Sequence, residues 1–192
     1  MTATKQSQLD TLAGEIIAQD TTPELSSQAI QLVMGSGNLD ADIVFIGEAP
    51  GKKEDETGLP FVGASGRFLD AMLEAAGMVR ADVYITNIVK YRPPNNRDPS
   101  PAEKQAFLPY LLRQLDIISP KVVITLGRHS MEYFLPDATI GEVHSTPHTV
   151  RLGERDIVII PLFHPAAALY NGSLRQTLID DFIRIPTLIA SL

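Results

Sequence analysis

The chain of 192 residues contains no cysteine. That absence excludes disulfides, thiolate metal sites and cysteine-ligated clusters, and it suits a cytoplasmic location. Long apolar runs are missing as well, so nothing reads as a membrane span. The opening stretch MTATKQSQLDTLAGEIIAQD lacks the basic, apolar and small-residue succession of a secretory signal. Positive charge is scarce: 16 Lys and Arg against 23 Asp and Glu leave a net charge of −7. Broad, non-specific attraction to nucleic acid is therefore not expected, although a local basic face is compatible with an acidic total. Internal repeats, low-complexity tracts and long linkers are also absent. What remains is 44% hydrophobic and 20% charged, which suits one globular domain over 1–192 with a sizeable core.

Four short β-branched runs, DIVFIG (42–47), DVYITN (82–87), KVVITLG (121–127) and DIVIIPLF (156–163), have the continuous apolar character of strands buried on both faces. Helical patterns lie between them. SGRFLDAMLEAAG puts Phe68, Leu69, Met72, Leu73 and Ala76 on one face, with Ser65 as N-cap and Gly77 as stop. SPAEKQAFLPYLLRQLDIIS opens with Ser100, Pro101 and Glu103 at N-cap, N1 and capping-box positions, and Pro109 is placed to kink it. A last helix runs from Ser173 toward Leu188, with Pro186 disturbing its end. TVRLGERDIVII reads as a hairpin turning at Gly153–Glu154. Residues 1–40 read as a helical region packed on the outside. The expected fold is a three-layer α/β/α sandwich with a mostly parallel four-stranded sheet and an added hairpin strand.

In such sheets ligands bind beyond the carboxyl ends of the strands. The four runs lead into GEAPG, NIVKYRPPNNR, LGRHS and FHPAAALYNGSLR, so the glycine-rich, polar and histidine-bearing segments meet on one rim. GEAPGKK has neither the spacing nor the final Ser or Thr of a phosphate-binding P-loop. Glu48, Glu54, Asp55, Asp70 and His164 lack zinc-ligand spacing, and GASG is not a nucleophile elbow. A flat, hydrogen-bonding ligand fits better. Gly47, Ala49 and Gly51 permit close backbone approach and Pro50 stiffens the turn. Phe61 offers a stacking face, Asn87 offers a donor and an acceptor together, and His164 offers a hydrogen bond to a leaving-group oxygen. Each has a plainer role open to it, as core ring, turn former or loop histidine. Their convergence on one rim favours the ligand.

Three separated segments, GEAPGKKEDETGLPFVGASGRFLDAMLEAAG, VYITNIVKYRPPNNRDPSPAE and FHPAAALYNGSLRQTL, resemble in order the motifs of the uracil-DNA glycosylase superfamily, family 4. The resemblance implies a monofunctional enzyme that flips deoxyuridine out of single- or double-stranded DNA and hydrolyses its N-glycosidic bond, leaving an abasic site for base excision repair. Carried over by motif, Phe61 would stack on uracil and Asn87 would read N3–H and O4. His164 would donate to O2 as charge grows there, and the Gly47–Ala49 backbone, with Pro50 and Gly51, would bound the ring. Glu48 would support the cationic sugar or orient water, and Glu54 would exclude thymine. The best-known family of the superfamily has an aspartate base where this chain has Ala49, and a methyl-excluding tyrosine where it has Gly51. Ala166 to Tyr170 would press into DNA with Leu169 or Tyr170 as wedge.

Family 4 members carry four cysteines that hold an iron–sulfur cluster. In this chain those positions fall on Asp20, Pro23, Tyr91 and Phe107, and the resemblance therefore implies a cluster-free variant without metal or cofactor. Packed aromatics at the last two positions would contribute roughly 2–5 kcal/mol in place of the cluster. Lys52, Lys53, Arg67, Lys90, Arg92, Arg97, Arg128 and Arg175 fall in or near the rim segments and form the expected DNA face of a monomer. Two alternatives are a non-catalytic reader of uracil in DNA and a glycosylase of the same fold acting on hypoxanthine or xanthine.

Overall fold

The computed structural model describes residues 3–191. In chain order the elements are α1 (Lys5–Ala18), α2 (Pro23–Ser26), β1 (Ser36–Gly37), β2 (Ile43–Gly47), α3 (Lys52–Thr57), α4 (Ala64–Ala75), β3 (Tyr84–Asn87) and α5 (Pro101–Ile118). There follow β4 (Val122–Leu126), α6 (Arg128–Met131), α7 (Ile140–Val143), β5 (His148–Leu152), β6 (Arg155–Leu162), α8 (Ala167–Tyr170) and α9 (Leu174–Ala190). Among the described residues no helix is long and apolar enough to cross a membrane.

The four β-branched runs form the parallel centre of a six-stranded sheet ordered β1-β3-β2-β4-β6-β5. The expected hairpin is present: β5 returns antiparallel onto β6 through Gly153, whose φ of +61° is the left-handed turn a glycine adopts without strain. At the other edge β1 adds an antiparallel pair to β3 that the sequence pattern did not announce.

Alternating side chains explain the layers. Val44 and Ile46 of β2 enter one apolar cluster with Leu12, Ile16, Phe107, Leu111 and Leu115. Phe45, between them, enters the other with Phe68, Leu69, Met72, Phe182 and Ile185, and stacks on Phe182 at 5.8 Å between ring centres. Thus α1 and α5 cover one face of the sheet and α4 and α9 the other, each pair of helices in contact. A strand period of two feeding helices on both sides is what a parallel sheet requires.

Helix ends follow local chemistry with one correction. The α5 capping box forms as expected: Ser100 Oγ accepts from the Glu103 amide and Glu103 accepts from the Ser100 amide. Arg97 adds two hydrogen bonds to the same carboxylate, at 2.8 and 2.6 Å, and α5 continues through Pro109 to Ile118. Gly77, at φ +67°, stops α4, with Met78 N donating to Leu73 O. Ser65, however, is not the N-cap of α4; Gly63 is, and its amide donates to Glu54 Oε1. The last helix runs as expected past Pro186, to Ala190, with Leu178, Phe182 and Ile185 buried.

Candidate active site

The parallel strands end together, with Gly47 opposite Asn87 and Leu126 opposite Leu162. Beyond these ends lies a cavity of about 130 Å³ lined by Ala49, Gly51, Glu54, Phe61, Ser65, Asn87 and His164. Gly47 packs against two of these residues: a Cβ there would lie 2.5 Å from both Asn87 Oδ1 and Phe61 Cζ. Only a residue without a side chain lets the amide and the ring converge.

Phe61 is buried and holds a left-handed backbone, φ 53°, a conformation costing about 1–3 kcal/mol for a non-glycine residue. Two features hold it there. Glu54 Oε1 accepts from the Val62 and Gly63 amides, at 2.9 and 2.8 Å. Gly66 of α4 leaves room for the Phe61 carbonyl, which a Cβ would approach to 1.9 Å. Glu54 Oε2 faces Gly51, 2.8 Å from where a Cβ would stand, so the second oxygen borders the cavity. Pro50 is buried behind this loop.

The Phe61 ring lies 5.7 Å from the ring of His164. The Ala166 amide donates to His164 Nδ1 at 3.1 Å. Nδ1 is therefore the unprotonated nitrogen, and Nε2 carries the hydrogen. Burial, helped by His129, pushes the His164 pKa down to about 4, so the ring is neutral at pH 7. The opposite side of His164 abuts Gly127, φ +94°, where a Cβ would come 3.0 Å from the histidine Cβ.

Asn87 is braced from behind. Lys90 Nζ donates to the Asn87 carbonyl at 2.7 Å, to Thr86 Oγ1 at 2.7 Å and to Gln114 Oε1 at 2.6 Å. Gln114 Nε2 in turn donates to Met34 O and Tyr84 Oη. Lys90 is fully buried, and burial pushes its pKa from 10.5 down to about 7. Its expected place on a DNA face is thus corrected: three protein acceptors surround its buried amino group, out of reach of phosphate.

Glu48 follows β2 and does not line the cavity. Its side chain, 24% exposed, turns toward α6, where His129 Nε2 lies 3.5 Å from Oε1, an oxygen with no hydrogen-bond partner. Desolvation first, and then the charge of Asp98, raises its pKa to about 7. Glu48, Asp98 and His129 bring donor atoms within 4.8 Å of one another. Lys104 Nζ already stands 3.1 Å from His129 Nδ1 and Arg128 3.7 Å from Asp98, so the protein supplies the positive charge itself and the group is an ion-pair network. Ser65 was read from sequence only as a helix cap, and His129 was not singled out. LGRHS was recognised only as a rim segment, and nothing local announces that its histidine faces Glu48.

The remaining rim residues divide. Leu169 and Tyr170, on α8, are 48% and 91% exposed. Ala166 is partly buried and its amide serves His164. Arg175 is exposed, its guanidinium 4.4 Å over the Phe68 ring. Arg92 is partly buried, donating to Asn96 Oδ1 at 2.7 Å and lying 3.8 Å from Asp55. Lys52, Arg67 and Arg128 are exposed, whereas Lys53 and Arg97 are engaged by Glu56 and Glu103.

The residues at the four family cluster positions do not fit an iron–sulfur cluster, which needs thiolate donors. Pro23 opens α2, and Asp20 accepts from Ser26 Oγ at 2.6 Å. Tyr91 and Phe107 are buried and meet edge to face, 6.2 Å between ring centres, in the cluster that also holds Leu12, Ile16 and Leu25.

A doubly covered parallel sheet, with a base-sized cavity at its strand ends joining a ring, a carboxamide and a neutral histidine, agrees with what similarity to known proteins shows. The chain belongs to the uracil DNA glycosylase superfamily, whose family model matches residues 34–184. It is 48% identical to a type-4 uracil-DNA glycosylase of Sulfurisphaera tokodaii over 80% of this chain and 72% of that one. It is 46% identical to the type-4 enzyme of Saccharolobus solfataricus (83% and 76% covered) and 44% identical to that of Archaeoglobus fulgidus (84% of each).

Proposed function

We propose that the protein is a uracil-DNA glycosylase that hydrolyses the bond between uracil N1 and the deoxyribose C1′. One observation carries this reading most directly: Asn87, Phe61 and a His164 whose Nε2 bears the hydrogen converge on one cavity. Phe61 stacks on the flipped base. The Asn87 carboxamide accepts from N3–H and donates to O4, a pattern that cytosine reverses. As the C1′–N1 bond breaks, its electron pair leaves with uracil, and charge grows on O2. A neutral Nε2–H donor is suited to that oxygen, because it stabilises charge without first giving up its proton.

Glu48 faces the cationic sugar or orients the water whose oxygen adds to C1′. A carboxylate poised near 7 is suited to taking the proton released. Glu54 borders the cavity where the methyl of thymine would enter. Leu169 and Tyr170 form the wedge, and Arg175 and Arg92 contact the backbone of the DNA. We read the enzyme as a cytoplasmic monomer that needs no cofactor for this hydrolysis and accepts uracil in single or double strands.

The test is cleavage of end-labelled oligonucleotides with one uracil, opposite G, opposite A or unpaired, followed by alkali. His164→Ala and Asn87→Ala are each expected to lower cutting by at least about a hundredfold. Cutting only at hypoxanthine or xanthine would overturn the base assignment, and tight uracil-DNA binding without cutting would make the protein a reader.

A further inference from the structure

We propose that His129 is a positioning residue for Glu48, its Nε2 hydrogen turning from Asp98 to the Glu48 carboxylate as that group ionises and so favouring the ionised form beside the uracil cavity. The inference rests on the role given to Glu48 above. Three observations lead to it. First, the tautomer is set from the far side. Lys104 Nζ lies 3.1 Å from His129 Nδ1, and an ammonium can only donate, so Nδ1 accepts and the hydrogen resides on Nε2. Second, that nitrogen faces two carboxylates, Asp98 Oδ2 at 3.2 Å and Glu48 Oε1 at 3.5 Å. Asp98, which takes the hydrogen bond, is 67% exposed and shared with Arg128, whereas Glu48 Oε1 is buried and has no hydrogen-bond partner among the described residues. Third, α6 places His129 at the end of β4, the strand next to β2, so ring and carboxylate are held by adjacent parts of the sheet.

The surroundings suit a neutral donor. Desolvation, followed by the charge of Lys104, holds the His129 pKa below its ordinary value. A second proton, on Nδ1, would point at that ammonium. The groups facing Glu48 are Asp98 from the loop before α5, Lys104 from α5, Arg128 and Glu132 from α6 and its cap, and His129 itself. Asp98 and Glu132 oppose ionisation of Glu48, and Lys104 and Arg128 favour it. Of the basic groups among these, His129 alone lies within 4.0 Å of a Glu48 oxygen. Lys104, His129 and Glu48 thus form a relay from the surface of α5 to the cavity edge, in which the imidazole passes on the direction of a hydrogen bond.

The experiment titrates the Glu48 side-chain carboxyl by carbon NMR in the wild-type protein and in His129→Phe, His129→Gln and Asp98→Asn. Single-turnover excision of uracil is measured across pH in the same proteins. His129→Phe keeps the ring and loses the donor. The Glu48 titration should move up by about one unit, and the acid limb of the rate should move with it. Excision below that limb should fall about tenfold, the equivalent of one unit, with DNA affinity unchanged. His129→Gln, which keeps a donor, should restore most of both. Asp98→Asn should move the Glu48 titration the other way. In a Glu48→Gln background, His129→Phe should cost nothing further.

An unmoved Glu48 titration in His129→Phe would overturn the proposal, as would full additivity with Glu48→Gln. A moved titration in a protein that excises no uracil would uphold the contact and refute the function instead. Loss of DNA affinity with an unmoved titration would make His129 a DNA contact.

Discussion

The buried lysine beneath Asn87 makes a quantitative demand on stability. Burial lowers the Lys90 pKa from 10.5 to about 7, whereas the unfolded chain keeps the ordinary value. Between those limits the unfolded state binds a proton that the folded state does not, so stability must rise with pH. The rise is fully expressed above 10.5 and absent below 7. Its ceiling is about 1.4 kcal/mol per pH unit, or about 2 kcal/mol between pH 7 and 9, because the group is only half titrated at the start. The three acceptors at 2.6–2.7 Å favour the ammonium and work against this slope, so the figure is an upper bound. The assay is urea unfolding at pH 7, 8 and 9 of the wild-type protein and of Lys90→Met. The variant removes the titration while keeping most of the buried chain, and every other titrating group is common to both. The difference in stability between the two should shift with pH in favour of the wild type. Parallel pH dependences would refute the reasoning and mean that the three acceptors keep Lys90 charged.

Two further perturbations follow from the packing. Gly47→Ala puts a methyl where Asn87 Oδ1 and Phe61 converge; uracil excision should fall at least about a hundredfold in kcat/KM, as for a displaced catalytic geometry, while circular dichroism remains native. Phe107→Ala removes the ring that meets Tyr91 edge to face, and urea unfolding should show a loss of about 3–5 kcal/mol; a loss below about 1 kcal/mol would show that the aromatic pair is not what holds that corner.

Fold and pocket were legible to different depths. Strands β2, β3, β4 and β6 stood out because each is a β-branched run buried on both faces, and α5 because a capping box is a local signal. The two-residue β1 carries no pattern: Ser36 and Gly37 pair with β3 only because the chain passes its edge. Ser65 looked like a cap because it is a serine before an apolar run, but Glu54, nine residues before Gly63, binds the cap amide from across a loop. In the site, Phe61, Asn87 and His164 were readable because strand ends converge by topology. Lys90 was misread because KYR looks basic and surface-borne, while Gln114, 24 residues away, determines its burial. The meeting of Glu48 with His129 likewise depends on β2 and β4 being neighbours, which no single segment reveals.

Glu54 is a single carboxylate with two obligations. One oxygen fixes the amides of Val62 and Gly63, keeping Phe61 in its left-handed turn, and the other borders the cavity beside Gly51. On the proposed reading, substituting it to admit a bulkier base would at once release the ring on which the base is to stack. Mutational routes to a new substrate through this position are therefore closed one step at a time. They open only when a second change, near Gly63 or Gly66, takes over the anchoring first.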